Sequence, residues 1–104
     1  MTAAGEALAR ALRVSFVNFT GAVALDPPVS RRWASITFSG ERHLVELRLA
    51  GQDAESAADR FLDGLSDREF ELRGHILADI AVVEDVRKGD GVRLALEALT
   101  VEAS

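Results

Sequence analysis

Two histidines, His43 and His75, are the side chains of this chain whose ordinary titration falls near neutrality. His75 precedes Asp79 by four residues in the same alternating phase of a strand-like segment. That spacing is roughly 13 Å along a strand, too far for a direct hydrogen bond. A His–Asp dyad would therefore need a bend in the strand, or Asp79 from a second copy. His43 is expected on the core face just after a turn, beside Phe38, where it reads as a histidine closing a hairpin. The third cluster is basic and aromatic: Arg31-Arg32-Trp33, with Arg42 and Arg48. Trp33 stacked by Arg48, with Glu46 nearby, would suit an anion, a peptide or a base. As a cation–π pair alone it is worth roughly 0.5–1 kcal/mol. A small-molecule site in this chain would thus be assembled from His75, Asp79, Trp33, Glu46 and Arg48, at a subunit interface.

Other chemistries find little footing. With no cysteine, thiol catalysis, disulfides and Cys-ligated metals are excluded. Two isolated histidines without HxxxH or HExxH spacing make no recognisable metal site. The acids around Gly89 and Gly91 are too few for a calcium loop. There is no GxSxG nucleophile elbow, and Gly5 and Gly51 stand alone rather than in a phosphate-cradling loop. No catalytic residue, metal or cofactor is assigned.

These side chains must be positioned by a chain of 104 residues, which predicts a single domain over 1–104. Hydrophobic residues at 48% and charged residues at 28% are ordinary for a soluble globular protein. The formal charge is −5, divided between a mildly basic first half and an acidic second half. That balance argues against a nucleic-acid-binding domain of the basic kind. Lys88 is the single lysine among 12 basic residues, an Arg-rich bias typical of a high-GC bacterial genome. Glu6, Arg10 and Arg13 interrupt the N-terminal segment, so it lacks a signal-peptide apolar region. Apolar runs of four or five residues fall far short of the ~20 that span a bilayer. A cytoplasmic location is expected.

The predicted architecture is α+β: a mainly antiparallel sheet of four or five strands, one amphipathic helix on its core face, and an N-terminal helix. Residues 3–12 favour helix, with Leu8 and Leu12 one turn apart. Residues 14–25 support two readings. Phe16 and Phe19 continue the helical stripe, whereas Val17, Phe19, Val23 and Leu25 share one face of a strand; a short helix followed by a strand is favoured. Asp26-Pro27-Pro28 ends any regular element. A hairpin over 32–50 is expected to turn at Gly40-Glu41, with glycine at the first central position of a type II′ turn. That register sets Phe38 opposite His43, Ile36 opposite Val45, Ala34 opposite Leu47 and Trp33 opposite Arg48. A helix follows from an Asp53 N-cap, with Ala54, Ala57, Ala58, Phe61, Leu62 and Leu65 as its apolar stripe and Gly64 as its stop.

The remainder reads as a second hairpin. Phe70 to Val82 alternate with Ile76 and Ile80 toward the core and a bend or bulge at Gly74. Residues 87–91 turn, and 92–102 return, pairing Val86 with Val92, Val82 with Leu96 and Asp85 with Arg93. The opposite face then carries His75, Leu77, Asp79, Ala81 and Val83, joined by Leu99 and Val101. Its second half is apolar, and a sheet apolar on both sides must be covered on both. Either the N-terminal helix or a second copy must lie there; the homodimer is the expectation, with the C-terminal hairpin and Trp33 in or near the interface. Two function classes follow: a homodimeric interaction or assembly module, or a small-molecule-binding protein or small enzyme with its site at that interface. Close apolar packing on the outer face favours the first. A pocket holding His75 and a hydrogen-bonded carboxylate favours the second.

Overall fold

The structure, a computed structural model, describes residues 1–103. The first helix, α1 (Ala3–Val14), starts where Thr2 accepts a hydrogen bond from the Gly5 amide at 3.0 Å. Glu6 in its first turn and Arg13 in its last both complement the helix dipole. Leu8 and Leu12 are buried, and the stripe continues past the helix end through buried Phe16 to Phe19 at the core margin. The strand proposed for this region begins only at Ala22, so β1 (Ala22–Leu25) is short and Val17 stays in solvent.

Strand β2 (Val29–Ala34) and the 12-residue β3 (Ser39–Ala50) form the first hairpin. Its turn is Ser35–Phe38, not Gly40-Glu41. The Ser35 amide reaches the Phe38 carbonyl at 2.7 Å, while the Ser35 hydroxyl oxygen accepts from the Phe38 amide at 3.0 Å. The observed pairs are Ala34 with Ser39, Trp33 with Gly40 and Ser30 with His43, so the expected pairs across Gly40 do not form. Gly40 lies inside the strand, where a Cβ would run into the carbonyl of Thr100. That close approach, rather than a turn, is what requires glycine here. Ile36, expected in the core, is fully exposed at the hairpin tip.

Helix α2 (Ala54–Leu62) follows, its Asp53 side chain making no cap hydrogen bond. Ala54, Ala57, Ala58 and Phe61 are buried, and Leu65 continues the stripe in a 3-10 turn at Leu65–Asp67. Strand β4 starts at His75, later than expected, and runs to Lys88. Phe70 and Leu72 precede it in a loop closed at Gly74, whose φ of 78° is left-handed. Strand β5 (Gly91–Glu102) returns to complete an antiparallel α+β fold.

The sheet order is β1-β3-β5-β4, with β2 beside β1 along the same edge of β3. The Pro27-Pro28 break between them falls on that edge, where a missing N–H costs least. Both helices lie on one face: Leu8, Leu12, Ala58 and Phe61 join Leu47, Leu49, Leu94 and Leu96 in one core. The N-terminal helix therefore does not cover the outer face. Bulges in β4, between Leu77 and Asp79 and between Val82 and Glu84, correct the expected register. Val82 does face Leu96, but the second bulge moves Arg87 opposite Val92 and Val86 opposite Arg93. Ile76 consequently turns outward, and Val82 is only partly covered.

The cores of the two readings are separable by urea unfolding at low protein concentration. Leu96→Ala is expected to lose about 2–5 kcal/mol of stability. Ile36→Ala is expected to change it by no more than about 0.5 kcal/mol, as for an exposed site.

Candidate functional site

Ala78 occupies the first bulge of β4, and this sets His75 apart from Asp79 within the chain. Asp79 pairs with Leu99 on the outer face, whereas His75 pairs with Glu102 and Leu77 with Thr100 on the helix-covered face. The two side chains of the proposed dyad thus point to opposite sides of the sheet. Among the described residues, no carboxylate is hydrogen-bonded to His75. It lines an open groove of about 750 Å³ with Arg68, Arg73 and Leu77.

Trp33, Glu46 and Arg48 share the outer face but do not converge within one chain. Trp33 faces Gly40, and Arg48 lies eight residues further along β3, about 26 Å away. No Trp33–Arg48 stack exists. Arg48 instead grips Asp26 with two bonds of 2.9 and 3.1 Å and reaches Glu46 at 3.3 Å. The hydrogen bond from Arg48 holds the Asp26 carboxyl below its usual pKa, and the guanidinium is correspondingly raised. Two further arginines of the basic cluster are ion-paired: Arg42 with Glu97, and Arg32 with Glu102 at 3.0 Å. Ser39 and then Arg32 hold the Glu102 carboxyl low.

The outer face is therefore organised in cross-strand rows. Trp33, Gly40, Val101 and Ile76 make an apolar row at one end. Next comes Arg31, Arg42, Leu99 and Asp79, then Val29, Leu44, Glu97 and Ala81. Toward the other end, ion-paired Glu46, Arg48, Glu84 and Arg93 dominate. Leu99 and Val101 lie on this face as expected, but Leu77 does not. At the end carrying the hairpin tip Ile36 and Phe38 are exposed and Ile76 is 58% exposed, and Val29, Leu44 and Val86 are exposed further along the face.

The opposite face holds a network that sequence reasoning missed. His43 is fully buried in mid-strand rather than beside Phe38. Its Nδ1 lies 2.7 Å from Ser30 Oγ and its Nε2 lies 2.9 Å from Thr100 Oγ1. Thr100 in turn donates to the Glu41 carbonyl at 3.4 Å. This direction assigns the proton of a neutral His43 to Nε2, leaving Nδ1 to accept from Ser30. The partners come from β2 and β5, distant in sequence, so local patterning carried no signal of them. Arg87 was also missed. It leaves the turn region to tie β4 to α2 through Asp85 and Asp59, and both bonds raise its pKa. Among the described residues no cluster of three or more His, Cys, Asp or Glu has a metal-holding arrangement.

No family model and no curated protein matches this chain. Among solved structures, a chain of the "Virion of native gene transfer agent (GTA) particle" matches with a TM-score of 0.56 and 24% identity. The match covers 82% of this chain and 72% of that one. The likeness is one of fold. Among the described residues, no helix is long and apolar enough to cross a membrane.

Burial pushes the His43 pKa below its ordinary 6.5; Glu41 opposes the shift and His75 adds to it. The unfolded chain then takes up this proton more readily than the folded one. The contribution of His43 to stability is complete above pH 6.5 and falls as the pH drops below that value. The thermal midpoint of the wild type should therefore decline on acidification more steeply than that of His43→Gln. Thr100→Val leaves the buried Nε2–H without an acceptor and is expected to cost about 1–3 kcal/mol in urea unfolding.

Proposed function

We propose that this protein is a homodimeric interaction or assembly module, acting in the cytoplasm through the outer face of its sheet. The observation that carries the reading is the uncovered apolar end of that face. Both helices pack on the other side, so Ile76, Ile36 and Phe38 are exposed, while Trp33, Leu99 and Val101 beside them are half-buried. A small soluble domain rarely leaves such a patch in water unless a partner takes it. The neighbour of the same fold belongs to a virion particle, a multi-chain assembly, which supports the same reading.

The small-molecule alternative is supported less. Of its five residues, His75 lines the groove of about 750 Å³ and Arg48 a separate one of about 300 Å³, and Asp79, Trp33, Glu46 and Arg48 stand apart from His75 on the other face.

Sedimentation velocity over a wide concentration range tests the proposal. The wild type is expected to dimerise, and Ile76→Glu combined with Val101→Arg to shift it to monomer without changing its far-UV circular dichroism. A wild type that stays monomeric at the highest attainable concentration would overturn the reading. Thermal shift across a small-molecule library, equal for the wild type and His75→Ala, would remove His75 from any ligand site.

A further inference from the structure

The Ser30–His43–Thr100 relay lies beneath the first turn of α1. A methyl group on Gly5 would stand 3.1 Å from both Ser30 Oγ and Thr2 Oγ1, so the helix start rests directly on the relay. Further along, α1 is held by a different device: Leu8, Leu12 and Phe16 enter the apolar core. The helix thus has two attachments of unlike chemistry. One is apolar and indifferent to pH; the other ends on an imidazole.

We propose that the relay is an acid-sensitive latch, in which a proton taken up at His43 Nδ1 releases the first turn of α1 while the rest of the fold holds. In the neutral relay each bond runs one way, from Ser30 O–H to Nδ1, from Nε2–H to Thr100, and from Thr100 to the Glu41 carbonyl. A proton on Nδ1 turns that acceptor into a donor. Ser30 must then accept, and its own hydroxyl proton loses its partner against Gly5. The imidazolium also sits under the positive end of a helix dipole, where a cation is unfavourable.

The surrounding charges set the balance. On β3, Glu41 is buried with Oε1 lacking a hydrogen-bond partner, and it favours the cation. It is two residues along the strand, roughly 7 Å away, and both ring nitrogens already have partners. From β4, His75 opposes the cation. From β2 and β5, Arg32 and Glu102 neutralise one another as an ion pair. From α1, the charges are those of exposed Glu6 and the amino group of exposed Met1. Burial of His43 and the helix end outweigh the single buried carboxylate, so the charged state is relieved most readily by lifting the first turn. That turn buries only small residues, Ala4, Gly5 and Ala7. It is the weakest part of the helix to detach.

Amide hydrogen exchange with NMR detection, read between neutral pH and the onset of acid unfolding, tests the latch. Protection at Gly5 and Glu6 is expected to fall about tenfold on acidification while Leu94 and Leu96 in β5 keep theirs. In His43→Gln the Gly5 and Glu6 protection should lose this pH dependence. Imidazole nitrogen shifts in the wild type provide a measurement that needs no variant: His43 is expected to start as the Nε2–H tautomer and to protonate at Nδ1 in step with the loss of protection. The proposal is overturned if His43 stays neutral over the whole range in which β5 remains protected. It is overturned equally if the first turn and β5 lose protection together, or if His43→Gln reproduces the wild-type profile.

Discussion

The pairing of β3 with β5 is the constraint on which the other elements depend. Eleven consecutive residue pairs, from Gly40–Val101 to Ala50–Gly91, run without a bulge. Both strands alternate strictly, so Val45, Leu47 and Leu49 meet Val92, Leu94 and Leu96 on one face. Each such side chain is worth about 1.5–3 kcal/mol when fully buried. The net stability of a domain is only about 5–15 kcal/mol. A one-residue slip would put this entire stripe into water, so the register of these two strands is strongly specified. Both helices then have a single apolar surface to cover, and they cover the same one. That choice leaves the other face of the sheet bare.

Departures from regularity are confined to the outside of this pair. Strand β4 is the sheet edge, and its two bulges each add a residue that β5 does not match. Bulges at an edge increase local twist and discourage unwanted edge pairing. They also decide which side chains meet. The first separates His75 from Asp79, and the second delivers Arg87 to the acids of α2. Period-two reasoning cannot see either event, because an inserted residue leaves the alternating pattern intact on both sides of it. Within one chain His75 and Asp79 do not meet for that reason, while the alignment of Val82 with Leu96, lying between the bulges, was legible.

The first hairpin shows the complementary case. Alternation correctly assigned His43, Val45 and Leu47 to the core and Glu46 and Arg48 to the outer face. It did not identify their partners, since sliding β2 by an even number of residues preserves every face. Turn chemistry was used to choose, and Gly40-Glu41 was the more obvious turn. The glycine was there for another reason: the carbonyl of Thr100 on β5 leaves no room for a Cβ. A steric demand made by a strand sixty residues away is invisible locally. The relay around His43 was hidden in the same manner, since Ser30 and Thr100 reach it across 13 and 57 residues of chain. The helices, by contrast, carry their signals within a few residues, in apolar stripes and a stopping glycine, and were read nearly to their ends.

The charges on the outer face complete the argument about its use. Arg42–Glu97, Arg48–Asp26 and Arg93–Glu84 are exposed pairs, and such pairs add little to stability. Their consequence is spatial. They satisfy one another across neighbouring strands over the middle and far rows, which makes those rows well solvated and poor candidates for burial. At the row of Trp33, Gly40, Val101 and Ile76 no charge is present, and the Trp33 ring lies close to the buried Gly40. An apolar row free of charge therefore stands at one end of that face, while Val29, Leu44 and Val86 are exposed among the charges further along it. An interface seated there would be bordered by paired charges on one side and by the Ile36–Phe38 tip on the other. A hydrophobic centre bounded by polar rows is the anatomy expected of a specific protein contact rather than of indiscriminate adhesion.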